Sequence, residues 1–258
     1  MTRILQRAAA VLRELSRRAE PAGVNDLARA VSLSPATVYR LLIAMVAEGL
    51  VSQDAADAKY QIGRAVIPLA VNYLNRAHLG GDCLPIMRKL AEAAGETVNL
   101  GVLNGSAVYY VQQVEGSNPL RFGRDIGPSV PVYCSALGKM FLALMADKER
   151  ESLLRTISLE RRTKNTITSK RSLARAIESI RKQGYAVDMG ENIPDLVGLA
   201  APIWDFSGSL VAGLSLMGPL IRMDDARRSA LIPQLIATAN SISSLSGWTP
   251  ARATAGVV

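Results

Sequence analysis

A single histidine, His78, and two cysteines, Cys83 and Cys134, stand among 258 residues. One histidine removes most catalytic triads and most histidine-rich metal sites before any motif is sought. Two cysteines exclude a disulfide framework and favour a reducing compartment. Aromatic residues make up 5% of the chain and are too scattered to form a base-stacking platform. No GxxxxGK[ST] phosphate cradle and no GxGxxG dinucleotide fingerprint occurs. The longest uncharged stretch, Phe206 to Ile221, is cut by Gly208, Gly213, Gly218 and Pro219 and falls short of a membrane span. The opening MTRILQRAAAVLREL mixes charge with apolar residues, unlike the apolar core of a signal peptide. These absences describe a soluble, cytoplasmic protein with no cofactor, no metal and no membrane partner.

What is present is positive charge on a chain rich enough in apolar residues to fold. Thirty Lys+Arg against 22 Asp+Glu give a formal +8, and 49% of the residues are hydrophobic. Residues 1–80 hold 10 basic and 6 acidic side chains, and residues 81–258 hold 20 and 16. Each part carries +4, so the excess is denser in the first third, which fits a nucleic-acid module there. Charge alone fits a solvated surface equally well.

The order of elements separates these readings. Ile4, Ala8, Val11, Leu12 and Leu15 recur at helical spacing over residues 3–18, and Pro21-Ala22-Gly23 stops that helix. Asn25 is placed to cap a short helix from Asp26 to Val31 that buries Leu27 and Ala30. After the turn Ser32-Leu33-Ser34, Ser34-Pro35 is an N-cap followed by proline at the first helical position. The helix it starts carries Val38, Leu41, Leu42, Met45 and Val46 on one stripe and ends at Gly49. Val51–Gln53 and Lys59–Ile62 then flank a polar turn. Short helix, tight turn, proline-started helix and hairpin form the layout of a winged helix-turn-helix. Its recognition helix offers Ser34, Pro35, Ala36, Thr37, Tyr39 and Arg40 to bases and phosphates, with Lys59 on the wing.

A linker helix follows over 65–80, with Val66, Ile67, Leu69, Ala70, Tyr73 and Leu74, and Gly80-Gly81 marks the domain boundary. Beyond it come a helix at 84–94 and strands at 97–103 and 106–114 joined by Asn104-Gly105. A strand is expected over Leu120–Ile126 and an apolar helix over Ala136–Met145. Helices follow at 148–158 and 172–183, then strands near 185–187, 198–204 and 210–217. A last helix from Asp225 to about Leu245 holds Pro233 as a kink. Strands grouped with helices imply an α+β sensor-type fold.

Several segments together identify a resemblance: VNDLARAVSLSPATVYRLLIAMVAEGLV followed by YQIG, then YCSALGKMFLA, GYAVDMGEN and LAAPIWDFSGSLVAGLSLMGP. In their order and spacing the chain resembles the IclR family of bacterial transcriptional regulators, from about Ile4 to Trp248. The resemblance implies an α+β architecture of a winged helix-turn-helix DNA-binding domain (1–64, helix-turn-helix about 24–43), a linker helix (65–80), and an effector-binding domain (81–248). That last domain would be GAF-like, on a curved antiparallel sheet, and residues 249–258 would be a flexible tail. It implies double-stranded operator DNA as partner, self-association as a dimer or a dimer of dimers, and a small organic acid or aromatic effector. Carried over by position, the ligand site comprises Ala136, Leu137, Asp188, Glu191, Gly198, Ser215 and Met217. Free N–H groups at a helix start suit a carboxylate at Ala136 and Leu137. Gly198 replaces a commoner Cys or Ser, and Met217 a commoner Ser. Those departures predict a larger, less polar cavity and a bulkier effector such as an aromatic acid, or else are packing choices in a sheet.

Two other readings stay open at this level. A hydrolase would use Ser135 or Cys134 as nucleophile near Asp188, with Lys139 as base because His78 falls in the linker. A DNA-binding factor without effector would use the second domain for assembly alone. Cys134 reads as a redox thiol or, more simply, a buried hydrophobe. Arg161-Arg162-Thr163-Lys164 reads as a solvated loop, and the excess of basic residues over 139–182 as surface.

Overall fold

The computed structural model describes residues 2–54, 57–76, 79–119 and 129–249. The strand expected over Leu120–Ile126, His78 and the tail from residue 250 lie outside them. The chain divides into two compact units, residues 1–76 and 77–258.

In the first unit, α1 (Thr2–Arg17), α2 (Val24–Ala30) and α3 (Pro35–Ala47) precede a hairpin of β1 (Val51–Gln53) and β2 (Tyr60–Ile62), and α4 (Val66–Arg76) closes it. Val11, Leu15, Leu27, Val38, Leu42, Val51 and Tyr60 form the core. Helices α2 and α3 meet at 111°, within the range of a helix-turn-helix. Ser34 adopts extended backbone and accepts from Thr37 N–H at 3.3 Å, so the expected N-cap forms with Pro35 at N1. Ser32, at φ 54°, supplies the left-handed residue of the intervening turn. The wing is fixed by two hydrogen bonds of 2.9 Å between Ala22 and Tyr60, one in each direction.

Four local expectations change. Helix α2 starts at Val24 rather than Asp26, capped by the backbone of Gly23 instead of by Asn25, and it buries Ala28 where Ala30 was expected. A helix of seven residues buries one narrow stripe, and Leu27-Ala28 is its buried pair. Ile4 and Leu5 of α1 are 64% and 75% exposed, as are Ile67 (59%) and Leu69 (64%) of α4, so the apolar periodicity there is not consumed within this chain.

The second unit is a six-stranded, fully antiparallel sheet in the order β5-β4-β3-β8-β7-β6, curled into a half-barrel. Its strands are β3 (Thr97–Asn104), β4 (Ala107–Val114), β5 (Ser129–Pro131), β6 (Ala186–Met189), β7 (Leu196–Trp204) and β8 (Leu210–Pro219). Helices α5 (Cys83–Ala94) and α9 (Asp225–Leu245) pack against each other and the sheet, and Pro233 lies inside α9. Helix α6 (Ala136–Leu144) lies against Gly101 and Gly213, where added Cβ atoms would meet Leu137 and Met140 at 2.5–2.9 Å. Helices α7 (Asp147–Thr156) and α8 (Lys170–Gln183) follow it, and α8 packs on α6. The β3–β4 hairpin pairs Asn104 with Ala107, so its turn is Gly105-Ser106 rather than Asn104-Gly105. Gly105 at φ 60°, with no positive φ at Ser106, marks the turn that needs glycine in first place.

Candidate nucleic-acid interface and ligand cavity

Helix α3 presents its first turn to solvent. Ser34, Pro35, Ala36, Tyr39 and Arg40 are exposed and Thr37 is half-buried, while Val38, Leu42 and Met45 face the core. The Thr37 and Ser34 hydroxyls lie 2.8 Å apart, so both also serve the cap. Arg40 has no ion pair among the described residues. Lys59 sits before β2 with its ammonium 2.7 Å from Asp57, an exposed pair that a phosphate could displace at little cost. Small residues flanking an exposed arginine at a helix start are what close approach to a groove requires.

The second unit holds a cavity of about 20 Å³, lined by Tyr110, Val130, Ser135, Ala136, Leu137, Asp188, Asn192, Leu196, Gly198, Ser215 and Met217. Six of the seven predicted ligand residues meet there. Glu191 does not line it. Its carboxylate instead pairs with the Lys139 ammonium, both side chains being buried, and Lys139 also donates to the Val187 carbonyl at 2.7 Å. The register explains the convergence: Asp188 pairs with Gly198, Gly198 with Met217, and Ser215 with Asn99. Cross-strand partners and alternate residues of one strand share a face, and that face looks at α6.

The free volume is that of about one water, which differs from the large cavity expected from Gly198 and Met217. The Met217 thioether and Tyr110 fill the space, and the Tyr110 hydroxyl donates to Met217 Sδ at 3.5 Å. Sequence reasoning missed Tyr110 because β4 pairs with β3, away from β7 in the sheet order. It also missed Asn192 and Leu196, which flank the left-handed Asp195 in the turn between β6 and β7.

The polar groups divide into donors and acceptors. At the start of α6 the Ser135 hydroxyl accepts from Gly138 N–H at 3.1 Å, and the Ser135 carbonyl accepts from Lys139 N–H at 2.9 Å. That leaves the first N–H groups, of Ala136 and Leu137, without an intrahelical partner, and both residues line the cavity. Asp188 is 6% exposed, and burial raises its carboxyl from 3.8 to about 7, against the Glu191 N–H it accepts at 2.7 Å. Ser215 Oγ and Asn99 Nδ2 are buried without a partner.

The same geometry opposes a nucleophilic centre. The Ser135 hydroxyl donates to the Pro131 carbonyl at 2.7 Å while capping α6. Burial pushes the Cys134 thiol up to about 12, with Asp188 adding to the shift, and its S–H points to Asn192 Oδ1. Lys139 is tied to Glu191 and is not free to activate either group. No set of three metal-ligating side chains gathers among the described residues, and no single helix there is long and apolar enough to cross a membrane.

Comparison with known proteins covers both units of the chain. The family model of the IclR helix-turn-helix domain matches residues 4–55, and that of the bacterial transcriptional regulator IclR C-terminal region matches residues 71–244. The HTH-type transcriptional regulator BhcR of Paracoccus denitrificans is 34% identical over 220 residues, covering 85% of this chain and 79% of that protein. A transcriptional regulator of Rhodococcus sp. RHA1 superposes with a TM-score of 0.73 at 31% identity, over 95% of this chain and 98% of its own. An IclR homologue of Microbacterium hydrocarbonoxydans, solved with 4-hydroxybenzoate, shares the fold at 23% identity and a TM-score of 0.74, over 95% and 99%. From its helix-turn-helix to its curled sheet, the chain belongs to the IclR family of bacterial transcriptional regulators and is not an enzyme.

Proposed function

We propose that the protein binds operator DNA in the cytoplasm as a symmetric oligomer, under the control of a small organic or aromatic acid held in the α6 cavity. In this reading residues 1–64 bind DNA, 65–80 link, 81–248 sense the effector and 249–258 form a tail. The observation that carries it is the pairing of two first-turn N–H groups, at Ala136 and Leu137, with buried polar side chains at Asp188 and Ser215 around one apolar cavity. An anion is favoured at a helix N-terminus, and the remaining wall accepts an apolar body. The 4-hydroxybenzoate bound by a homologue belongs to that ligand class. An aromatic acid enters when Tyr110 and Met217 move apart. The exposed Ile4, Leu5, Ile67 and Leu69 of the first unit supply apolar surface for self-association. In a symmetric oligomer two copies of α3 address two half-sites, so the effector acts by favouring one spacing of those helices.

The test is a thermal-shift and titration series with pyruvate, benzoate and 4-hydroxybenzoate, repeated on DNA from upstream of the protein's own gene. At least one acid should raise the melting temperature and change operator affinity about five- to 150-fold, the range of an allosteric coupling. Gly198→Leu should abolish the response and keep basal DNA affinity, because a Cβ there already stands 3.3 Å from Ala136 Cβ. No response to any acid, together with unchanged operator affinity, would remove the effector from the reading.

A further inference from the structure

We propose that the loop 161–169 and the start of α8 form a second polyanion-binding platform, which holds the phosphate backbone of duplex DNA outside the segment read by α3. The proposal rests on the DNA-binding reading of the first unit but uses none of its residues. Arg161, Arg162, Lys164, Lys170, Arg171 and Arg175 fall within fifteen positions, and no Asp or Glu occurs from 161 to 177. All six are exposed and none forms an ion pair among the described residues.

A solvated surface has no need of this arrangement, and folding is opposed by it. The first turn of α8 contains Lys170 and Arg171 and no acidic residue, so both cations meet the positive end of the helix dipole. On helices α7 and α9 of the same unit, Asp147, Glu149 and Asp225 occupy the corresponding turns.

The loop is also held in one shape. Thr163 and Thr166 are buried, and their hydroxyls donate to the Gly190 and Glu191 carbonyls at 2.6 and 2.7 Å. Asn165 Nδ2 donates to the Met189 carbonyl at 2.8 Å. Arg161 Nη1 donates to the Lys164 carbonyl at 3.3 Å, which orients one guanidinium. Rigid placement lowers the entropy cost of engaging phosphates, and bidentate guanidinium groups fit their oxygens. The clamp rests on the turn whose Glu191 N–H holds Asp188 at the ligand cavity, so the platform and the cavity share a wall.

The experiment measures operator affinity of the full chain against salt, on a short fragment bearing the half-sites and on a longer one with flanking DNA. Each phosphate contact steepens the log–log slope by about 0.9. The variant R161S/R162S/K164S/R171S should leave the short-fragment slope unchanged and flatten the long-fragment slope by about 3 to 4. Between about 50 and about 200 mM salt, wild type should lose on the order of a hundredfold more affinity for the long fragment than the variant does. The charge-preserving variant R161K/R162K/R171K should keep the wild-type slope, which separates a phosphate contact from a purely structural role. Parallel slopes of wild type and the serine variant on the long fragment would overturn the platform. Absence of wild-type binding to the short fragment would instead overturn the operator reading.

Discussion

Replacing Asp188 by Asn should remove a pH dependence of stability that the wild-type protein owes to this one carboxyl. Asp188 sits on β6, 6% exposed, facing Tyr110 from β4, Cys134 before α6, Lys139 on α6 and Glu191 in the following turn. Burial is the largest influence and raises its carboxyl from 3.8 to about 7. The Glu191 charge pushes the same way, while the Glu191 and Asn192 N–H groups and Lys139 oppose it. The unfolded chain therefore releases this proton near pH 4, whereas the folded chain keeps it to about 7. Stability from the group is complete below about pH 4, falls as pH rises toward about 7, and is level above. About three pH units at about 1.36 kcal/mol each give roughly 4 kcal/mol of loss across that window. For a unit of this size that is on the order of 10 °C in melting temperature. The Asp188→Asn variant keeps an oxygen for the Glu191 N–H and has no proton to lose. Melting both proteins from about pH 4.5 to about pH 8.5 cancels the other carboxylates, and the wild type should approach or fall below the variant as pH rises. Curves that stay parallel over this range would refute a buried, proton-holding Asp188.

Three other outcomes follow from the geometry. Arg40→Ala should weaken operator binding by about 1–3 kcal/mol without altering the melting temperature, and unchanged affinity in fluorescence anisotropy would remove α3 as the reading helix. Lys139→Met should cost about 3–5 kcal/mol in urea denaturation, because it strands a buried Glu191 whose Oε2 already lacks a partner. Adding Glu191→Leu should restore most of that loss, and a single variant as mild as the double would contradict a stabilising pair. Ser34→Ala should cost about 1 kcal/mol, read as a lower melting temperature, through the lost cap on Thr37 N–H.

In the first unit, α3 was legible almost to the residue because its signals are local. Ser34-Pro35 and Gly49 punctuate α3 in sequence, and the stripe of Val38, Leu42 and Met45 needs no distant partner to be recognised. The exposure of Ile67 and Leu69 was not legible, since periodicity reports an apolar face and says nothing of what covers it. In the α6 cavity, six of the seven residues carried over by resemblance converge, whereas Tyr110 and the small free volume follow from the pairing of β3 with β8, strands far apart in sequence. Glu191 shows the same limit. The resemblance carried it to the cavity by position, but the opposite charge of Lys139, 52 positions away, holds it behind the wall. The basic run at 161–175 was visible as composition, and only its threonine clamps and missing ion pairs distinguish it from ordinary surface.

Asp188, Gly198, Met217 and Thr97 stand side by side on one rung across four strands, joined through main-chain hydrogen bonds that are indifferent to side-chain identity. Chemistry on that rung can therefore be exchanged without rebuilding the ladder. A hydroxyl at 198 or 217 would convert the apolar end to a polar one, and a smaller residue at 217 would free the Tyr110 hydroxyl for a guest. Under the proposed sensing role, the scaffold would behave as a keyboard on which a few side chains retune the accepted molecule, while the backbone that carries them stays the same.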